Sequence, residues 1–305
     1  MGKQTAVLLL ASMLLASCSG GGNSGNSANQ ANVQSPPPAS QEIKASPSPV
    51  STASTSPSPE ATATAGISAS PSPAADSGAA SDSPVADGNE VQFLYHMNKN
   101  YDIIPNEEGT PKKVVLLTFD DGPKDPVMIN SLMDTLDKHK AKAIFFVNGY
   151  RVKEHPELLK LIHERGGIIG NHSWDHIILK DKSEAEVKKQ IESVQDIVKE
   201  VTGDVPVFFR PPHGAGGDVG KKIAAANDML YMTWSVGSLD WEMKEQEAGK
   251  TGKLLQNVKD QLHSGSNILM HELPWTVEAL DTLLTTLEGK GYSFVDPRSI
   301  ELKMR

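Results

Sequence analysis

Apolar residues in the last 213 residues of the chain fall into short runs separated by amphipathic segments. Uninterrupted apolar runs of this length are typical of strands that are buried on both faces of a sheet. We therefore predict strands over residues 113–119, 143–147, 168–171, 207–210, 229–235, 267–271 and 292–295.

Segments between these runs carry apolar residues at helical spacing. Residues 127–138 show this spacing, and residues 156–164 begin with Pro156, which the first turn of a helix favours. In residues 183–201, Ser183 is followed three positions later by Glu186, which is the pattern of a capping box. The sequence predicts helices over all three segments, with further helices between the later strands.

Strands that alternate with amphipathic helices predict an α/β fold with a parallel sheet. The number of units, about seven, suggests a (β/α) barrel. An open, doubly wound sheet is the alternative that the pattern leaves open.

The first 90 residues differ sharply from the rest in composition. All 16 aromatic residues come after residue 92, and ten of the 20 prolines lie between Pro36 and Pro84. A segment rich in Ser-Pro and Ala-Thr repeats has too little apolar surface to offset its ordering entropy. We predict a disordered linker over residues 18–90 and one globular domain over residues 91–305.

The extreme N-terminus has the features of a secretory signal. Lys3 precedes an apolar run over residues 6–15, which is too short for a transmembrane helix. The run ends in Leu-Ala-Ser-Cys18, and this cysteine is the only one in the chain. The tetrapeptide resembles the lipobox of bacterial lipoproteins. The resemblance implies a signal peptide over residues 1–17, lipidation at Cys18 and attachment to the outer face of the membrane; an ordinary signal peptide is the alternative.

Overall charge argues against one class of partner. The chain has 29 Lys and Arg against 38 Asp and Glu, a formal net charge of −9. Nucleic-acid binding favours a basic surface, so we expect no nucleic-acid partner.

Two polar clusters at predicted strand ends contain candidate metal ligands. Asp120 and Asp121 end the first strand, and adjacent carboxylates repel each other unless a cation or an arginine shares their site. His172 and His176 follow the third strand. Histidines four positions apart lie on one face of a helical turn and can bind one metal.

Three further clusters also lie at the ends of predicted strands. They contain Arg210, which can hold a carboxylate through two hydrogen bonds, Asp240 beside Trp241, and His271, a candidate general acid or base. The carboxyl ends of parallel strands form the face where α/β proteins build their sites. The five clusters are therefore predicted to converge.

The five motifs, in this order, resemble those of the polysaccharide deacetylases of the NodB-homology class, carbohydrate esterase family four. The motifs are Asp-Asp-Gly at 120–122, His-x-x-x-His at 172–176, Arg-Pro-Pro-x-Gly at 210–214, Asp-Trp at 240–241 and Leu-x-His at 269–271. The resemblance covers residues 113–296 and implies a distorted (β/α) barrel, preceded by the linker.

The resemblance also implies a metal-dependent hydrolytic mechanism. Asp121, His172 and His176 would bind one divalent metal, which we expect to be Zn²⁺; Co²⁺, Ni²⁺, Fe²⁺ and Mn²⁺ are alternatives. Asp120 would be the general base, and His271 would be the general acid.

Other motif positions are implied to support these groups. Arg210 would orient Asp120, and Asp240 would orient His271 and raise its pKa. The backbone N–H of His213 would help to stabilise the oxyanion. The implied substrate-binding residues are Pro212, His213, Trp241 and Leu269.

Three positions depart from the family pattern. Gly237 stands where many relatives have Asp, His213 where Tyr is common, and Glu272 where Asp is more frequent. We expect the change at Glu272 to be neutral. None of the three is an implied metal ligand, base, acid or orienting residue, so we expect an active enzyme.

Peptidoglycan is the expected substrate, because a lipoprotein with a long tether meets the cell wall first. We expect removal of acetyl groups from its N-acetylglucosamine residues by a monomeric enzyme. Chitin oligomers or another poly-N-acetylglucosamine are alternatives, as is an O-acetyl esterase acting on xylan. A carbohydrate-binding lipoprotein without catalysis is the alternative from a different class.

Overall fold

A computed structural model describes residues 92–305 of the chain. The predicted signal peptide, the predicted lipidation site Cys18 and the linker lie outside the described residues. Within the described part, no helix is long and apolar enough to cross a membrane.

Most strands form one parallel sheet. Its neighbours follow the order β7-β6-β5-β4-β3-β9-β8, and β10 pairs in parallel with the start of β3. A separate antiparallel hairpin consists of β1 and β2. The strands are β1 (Tyr95–Met97), β2 (Ile103–Pro105), β3 (Val114–Gly122), β4 (Ala143–Val147), β5 (Ile168–Asn171), β6 (Phe208–Phe209), β7 (Leu230–Tyr231), β8 (Val236–Gly237), β9 (Ser266–His271) and β10 (Ser293–Phe294).

Helices connect the strands of the parallel sheet. They are α1 (Pro126–Lys138), α2 (Gly149–Glu154), α3 (Pro156–Glu164), α4 (Glu184–Thr202), α5 (Gly217–Ala226), α6 (Lys250–Gln261) and α7 (Pro274–Gly289). The sheet curls into a half-barrel, which confirms the distorted (β/α) barrel and not the doubly wound alternative.

Both faces of the central strands are buried, as their uninterrupted apolar sequences predict. In β3, Val115 and Leu117 pack into a cluster with α1, α6 and α7, whereas Val114 and Leu116 face a second cluster that includes the hairpin residue Met97. Two-sided burial fixes the register of these strands, because a shift by one residue would exchange the two faces. The central strands are therefore a rigid base for the residues at their carboxyl ends.

The predicted helix boundaries agree closely with the structure. The helix predicted over 156–164 has these bounds, and α4 begins after Ser183, whose hydroxyl accepts a hydrogen bond from the Glu186 N–H. The short helix α2 was not predicted, because its six residues span fewer than two turns of apolar spacing.

Two strand predictions were wrong in their extent. The first strand continues past residue 119 to Gly122, because Asp120 and Gly122 still pair with β4. The single strand predicted over 229–235 is instead the end strand β7, followed after a loop by β8 at the other end of the sheet. Continuous apolar sequence hides this separation, since periodicity does not show where a chain leaves one sheet edge for another.

Two glycines with open space around them should respond oppositely to replacement by alanine. Gly203 ends α4 with φ 86°, whereas Gly252 lies within α6 and has no positive φ. No heavy atom lies within 4 Å of a Cβ built at either position. We expect Gly203→Ala to lower the free energy of unfolding by about 1 kcal/mol, and Gly252→Ala to raise it by about 0.5–1 kcal/mol.

Urea denaturation of the two variants beside the wild type measures both effects. Equal signs for the two changes would contradict this assignment of backbone conformation.

Candidate active site

Polar side chains at the carboxyl ends of several strands converge on one cavity, as the sequence predicted. Its volume is about 360 Å³. It is lined by Asp120, Asp121, His172, His176, His213, Trp234, Trp241, Leu269 and His271.

Asp121 occupies a bulge near the end of β3. Asp120 pairs with Phe146 of β4 and Gly122 pairs with Val147, so Asp121 is the extra residue between them. Its φ is 70°, in the left-handed region. A bulge turns a side chain away from the regular alternation of the strand, and here it brings the Asp121 carboxylate to the histidine loop.

His172 and His176 reach the cavity from an irregular loop after β5. The helical interpretation of their spacing is wrong, because Ser173 and His176 have φ values of 65° and 54°. The two imidazoles nevertheless meet Asp121. One ligand atom from each of the three residues lies within 4.8 Å of the others, and Asp121 Oδ1 is 3.4 Å from His172 Nε2 and 3.1 Å from His176 Nε2.

The hydrogen bonding of His172 leaves its inward nitrogen free to act as a ligand. Its Nδ1 lies 2.7 Å from the Arg210 carbonyl oxygen, which can only accept, so Nδ1 carries the proton. Metal-binding histidines usually donate their second nitrogen in this way. Nε2 faces Asp121 Oδ1, a buried atom without a hydrogen-bond partner among the described residues. A divalent cation fits between these imidazole and carboxylate donors.

The electrostatics of Asp121 agree with a cation-binding role. Burial alone would raise the pKa of Asp121, but the interactions with His172 and His176 outweigh burial and hold the pKa well below its usual range. The carboxylate is therefore ionised and available as a ligand at neutral pH.

Amide side chains fix the histidine loop. Asn148 Nδ2 donates to the His172 carbonyl oxygen at 2.9 Å, and Gln190 exchanges two hydrogen bonds with Asp175 at 2.7 and 2.8 Å. Trp174 packs against Gly149, where a Cβ would lie 2.1 Å from the indole ring. The loop is thus held from β4, α2 and α4, and the sequence patterns did not identify these supports.

Asp120 is paired with Arg210 in the interior. Arg210 is fully buried and Asp120 is 3% exposed, and Arg210 Nη1 lies 2.7 Å from Asp120 Oδ1. Other hydrogens on Nη1 and Nη2 reach Thr118 Oγ1 at 2.8 Å, the Thr233 carbonyl oxygen at 2.8 Å and Asn267 Oδ1 at 3.3 Å, whereas Nε has no hydrogen-bond partner among the described residues. Burial lowers the pKa of Arg210, although Asp120 opposes this shift, and a guanidinium stays charged at neutral pH.

His271 is paired with a second buried carboxylate. Asp240 Oδ1 lies 2.8 Å from His271 Nδ1, and Asp240 Oδ2 accepts from the His271 backbone N–H and the Thr276 hydroxyl, both at 2.7 Å. Burial alone would lower the pKa of His271, but the hydrogen bond and charge of Asp240 outweigh it, with help from Asp120 and Asp121. The pKa of His271 is therefore raised.

The predicted substrate-binding residues do not all reach the cavity. His213, Trp241 and Leu269 line it, whereas Pro212 is buried and is not among the lining residues. Trp234 also lines the cavity, stacked edge-to-face on Trp241 with ring centroids 6.2 Å apart. Sequence analysis missed Trp234 because it fell within the wrongly extended strand.

Two departures from the family pattern have structural explanations. A Cβ at Gly237 would lie 3.1 Å from the Trp241 ring, so glycine lets this indole pack against β8. Glu272 is buried and accepts backbone hydrogen bonds from Lys124 and Asp125. Burial raises the pKa of Glu272 to about 7, although these hydrogen bonds oppose the shift.

The chain is similar to proteins of one known family. A family model described as polysaccharide deacetylase matches residues 107–232. The peptidoglycan-N-acetylglucosamine deacetylase PgdA of Listeria monocytogenes is 40% identical over 208 residues, which are 65% of this chain and 42% of PgdA. The chain thus spans about two-fifths of the length of this relative.

Two further similarities concern a relative that the chain covers more fully and a relative with a solved structure. The peptidoglycan-N-acetylmuramic acid deacetylase PdaA of Bacillus subtilis is 32% identical over 201 residues, which are 65% of this chain and 75% of PdaA. The crystal structure of BA3943 from Bacillus anthracis, a family four pseudoenzyme, matches with a TM-score of 0.56 and 33% identity, over 60% of this chain and 63% of that one. With the match to PdaA, the resemblance of the motifs is confirmed: the chain belongs to the polysaccharide deacetylase family.

Proposed function

We propose that this protein is a metal-dependent hydrolase that removes acetyl groups from N-acetylglucosamine residues of peptidoglycan. One observation carries the proposal. The ligand set of Asp121, His172 and His176 shares a cavity with two further titratable groups, Asp120 and His271, each held by its own buried partner. Three ligands beside an acid–base pair are what hydrolysis of an acetamide requires.

Asp120 is the general base. Its carboxylate lines the cavity beside the predicted ligands, 3.6 Å from His172 Nε2, and its other oxygen lies 2.7 Å from Arg210 Nη1. Asp120 accepts a proton from water as the water oxygen bonds to the acetamide carbonyl carbon. A bound divalent cation would supply Lewis-acid polarisation of the water and of the carbonyl oxygen.

His271 is the general acid. In the register of the neighbouring strands β3 and β9, His271 lies opposite Asp120, so the two residues are adjacent at the strand ends. When the bond between the carbonyl carbon and nitrogen breaks, His271 donates its proton to the departing amine. Acetate and a free amino sugar are the products, and the raised pKa of His271 keeps the acid protonated before the reaction.

Residues around the acid and base complete the proposed site. The backbone N–H of His213 donates to the oxyanion, and Trp241 and Leu269 surround the acetyl methyl group. The exposed Trp241 and the neighbouring Trp234 also offer aromatic faces against which sugar rings pack.

The choice of sugar and polymer follows the relatives. PgdA is named for N-acetylglucosamine and is 40% identical, whereas PdaA is named for N-acetylmuramic acid and is 32% identical. Zn²⁺ remains the expected metal, and lipid anchoring through Cys18 remains a prediction. A binding protein without catalysis is the second candidate, because the similar BA3943 is a pseudoenzyme.

Acetate release by the purified protein tests the proposed function. We expect release from peptidoglycan and from N-acetylglucosamine oligomers, with loss on chelation and recovery on addition of Zn²⁺ or Co²⁺. Asp120→Asn should lower kcat by about 10²–10⁴-fold with nearly unchanged metal content, whereas His172→Ala should lose both activity and metal.

Two further substrates distinguish the alternative functions. They are acetylated xylan and peptidoglycan whose glucosamine residues carry no acetyl group. Release from xylan alone would indicate an O-acetyl esterase, and release only where N-acetylmuramic acid is the acetylated sugar would change the substrate assignment. Metal binding without any acetate release would favour the binding protein.

Removal of Arg210 should destabilise the protein through Asp120. In Arg210→Met the Asp120 charge stays buried without its partner, and we expect the free energy of unfolding to fall by about 3–5 kcal/mol. Asp120→Asn in the same background removes that charge and should recover part of the loss. Urea denaturation of the two single variants and the double variant measures the coupling, and additive changes would contradict a dependence of one charge on the other.

Removal of the Asp240 charge should change the pH dependence of turnover. Asp240 raises the pKa of His271, and an acid must be protonated to act, so kcat declines as pH rises through that pKa. In Asp240→Asn the decline should begin about one pH unit lower or more. The exposed Asp260→Asn is the matched control, and a pH profile of Asp240→Asn that coincides with it would refute this role of Asp240.

A further inference from the structure

The carboxylate of Glu272 joins the end of β9 to the segment that follows β3. Glu272 follows His271 directly at the end of β9 and is 2% exposed. Its Oε1 accepts from the Asp125 N–H at 2.7 Å and from the Lys124 N–H at 3.1 Å, and its Oε2 lies 2.9 Å from the same Lys124 nitrogen. Both oxygens therefore bind the backbone that follows β3.

These donors belong to the segment between Asp121 and α1, which we define as the β3–α1 connection (122–125). A Cβ built on Gly122 would lie 2.7 Å from Glu272 Oε2, so the carboxylate packs directly against the backbone beside Asp121. The connection ends at Asp125, whose side chain accepts from the Val127 and Met128 N–H groups at the start of α1. Glu272 thus contacts the segment from its first residue to its last.

Only backbone groups offset the charge of Glu272 at close range. Among the described residues, no Lys, Arg or His nitrogen lies within 4.0 Å of its oxygens. The two N–H groups lie just before the thirteen-residue helix α1, whose N-terminus also favours a negative charge. A buried carboxylate with no ionic partner is costly, so the backbone donors of Lys124 and Asp125 matter for keeping Glu272 in this place.

The adjoining backbone needs such support. Asp121 is a bulge residue with φ 70°, a conformation that persists only where the surrounding structure holds it. Gly122 is held from one side by its carbonyl oxygen, which accepts from the Asn148 N–H at 3.1 Å. Glu272 holds the connection from the opposite strand neighbour, β9.

We propose that Glu272 is a positioning residue that fixes the β3–α1 connection to the end of β9, and thereby sets Asp121 and Asp120 in place relative to His271. This inference rests on the proposed function. The sequence led us to expect only that Glu in place of Asp at position 272 is a neutral change.

Glu272→Gln is the sharpest change, because it keeps the shape of the side chain. In the wild-type protein the Lys124 N–H lies near both oxygens of Glu272. The glutamine side chain has an NH₂ group in place of one oxygen, so one of these acceptors would be replaced by a donor. We expect kcat to fall about 10–100-fold and the dissociation constant for Co²⁺ to rise about tenfold, as for other groups that support metal ligands. KM should stay within about twofold of the wild type, because Glu272 does not line the cavity.

Two variants of the full chain serve as comparisons. Glu278→Gln makes the same change in charge at an exposed position on α7 and should match the wild type. Glu272→Asp keeps both acceptor oxygens on a shorter side chain and should retain more activity and metal affinity than Glu272→Gln. The opposite order of the two Glu272 variants would overturn the proposal.

Amide hydrogen exchange of the metal-free protein gives a readout that needs no activity. We expect the Lys124 and Asp125 amides to exchange at least about tenfold faster in Glu272→Gln than in Glu278→Gln, since they lose their buried acceptor. Unchanged exchange together with unchanged Co²⁺ affinity would overturn the proposal. A lower melting temperature with wild-type kcat and Co²⁺ affinity would show a purely structural role, which also overturns it.

The same measurements separate this proposal from the proposed function. If the wild-type protein binds Co²⁺ but releases no acetate from any substrate, the deacetylase proposal fails. The Co²⁺ affinity, the visible spectrum of the bound Co²⁺ and the exchange of the two amides still report whether Glu272 positions Asp121.

Discussion

The buried ion pair between Arg210 and Asp120 is the interaction on which the rest of the site depends. Arg210 is fully buried, and its guanidinium satisfies Asp120, Thr118 and Asn267 on the two strands β3 and β9. Its own carbonyl oxygen accepts the Nδ1 proton of His172 and so selects the tautomer whose Nε2 faces Asp121. Arg210, which directly follows β6, thus contacts the proposed base and orients a proposed metal ligand.

Each carboxylate in and beside the cavity has its own partners. Asp120 has a guanidinium, Asp121 has two imidazoles, and Asp240 has the ring and backbone of His271. The imidazoles differ for the same reason: Asp240 raises the pKa of His271, whereas burial and the neighbouring His176 lower the pKa of His213. The environment of each imidazole, and not its residue type, thus sets the direction in which its pKa shifts.

Sequence analysis predicted that most of these residues converge on one cavity, but it did not predict their local geometry. Strands were placed well along the chain because two-sided burial produces uninterrupted apolar runs, although two of them were wrong in extent. Polar residues near the strand ends, such as Asp121 and His176, were correctly expected to converge. Their backbone was not predicted, since a bulge continues β3 past its expected end and a loop with left-handed residues replaces the expected helical turn. Supports such as Thr276 and Asn148 were missed because a residue that acts through a distant neighbour leaves no local pattern.

Backbone conformation shows how much of the structure serves the site and not the fold. Eight non-glycine residues in the described part have positive φ, and five of them, Asp121, Ser173, His176, His213 and Leu239, lie in the segments that form or flank the cavity. Such conformations cost of order 1–3 kcal/mol each, and the apolar strands beneath must supply the stability that tolerates them. The similar BA3943 is a pseudoenzyme, so this fold alone does not guarantee catalysis. The proposed activity therefore depends on the groups that hold the strained loops in place, among them Arg210, Asn148 and, as proposed above, Glu272.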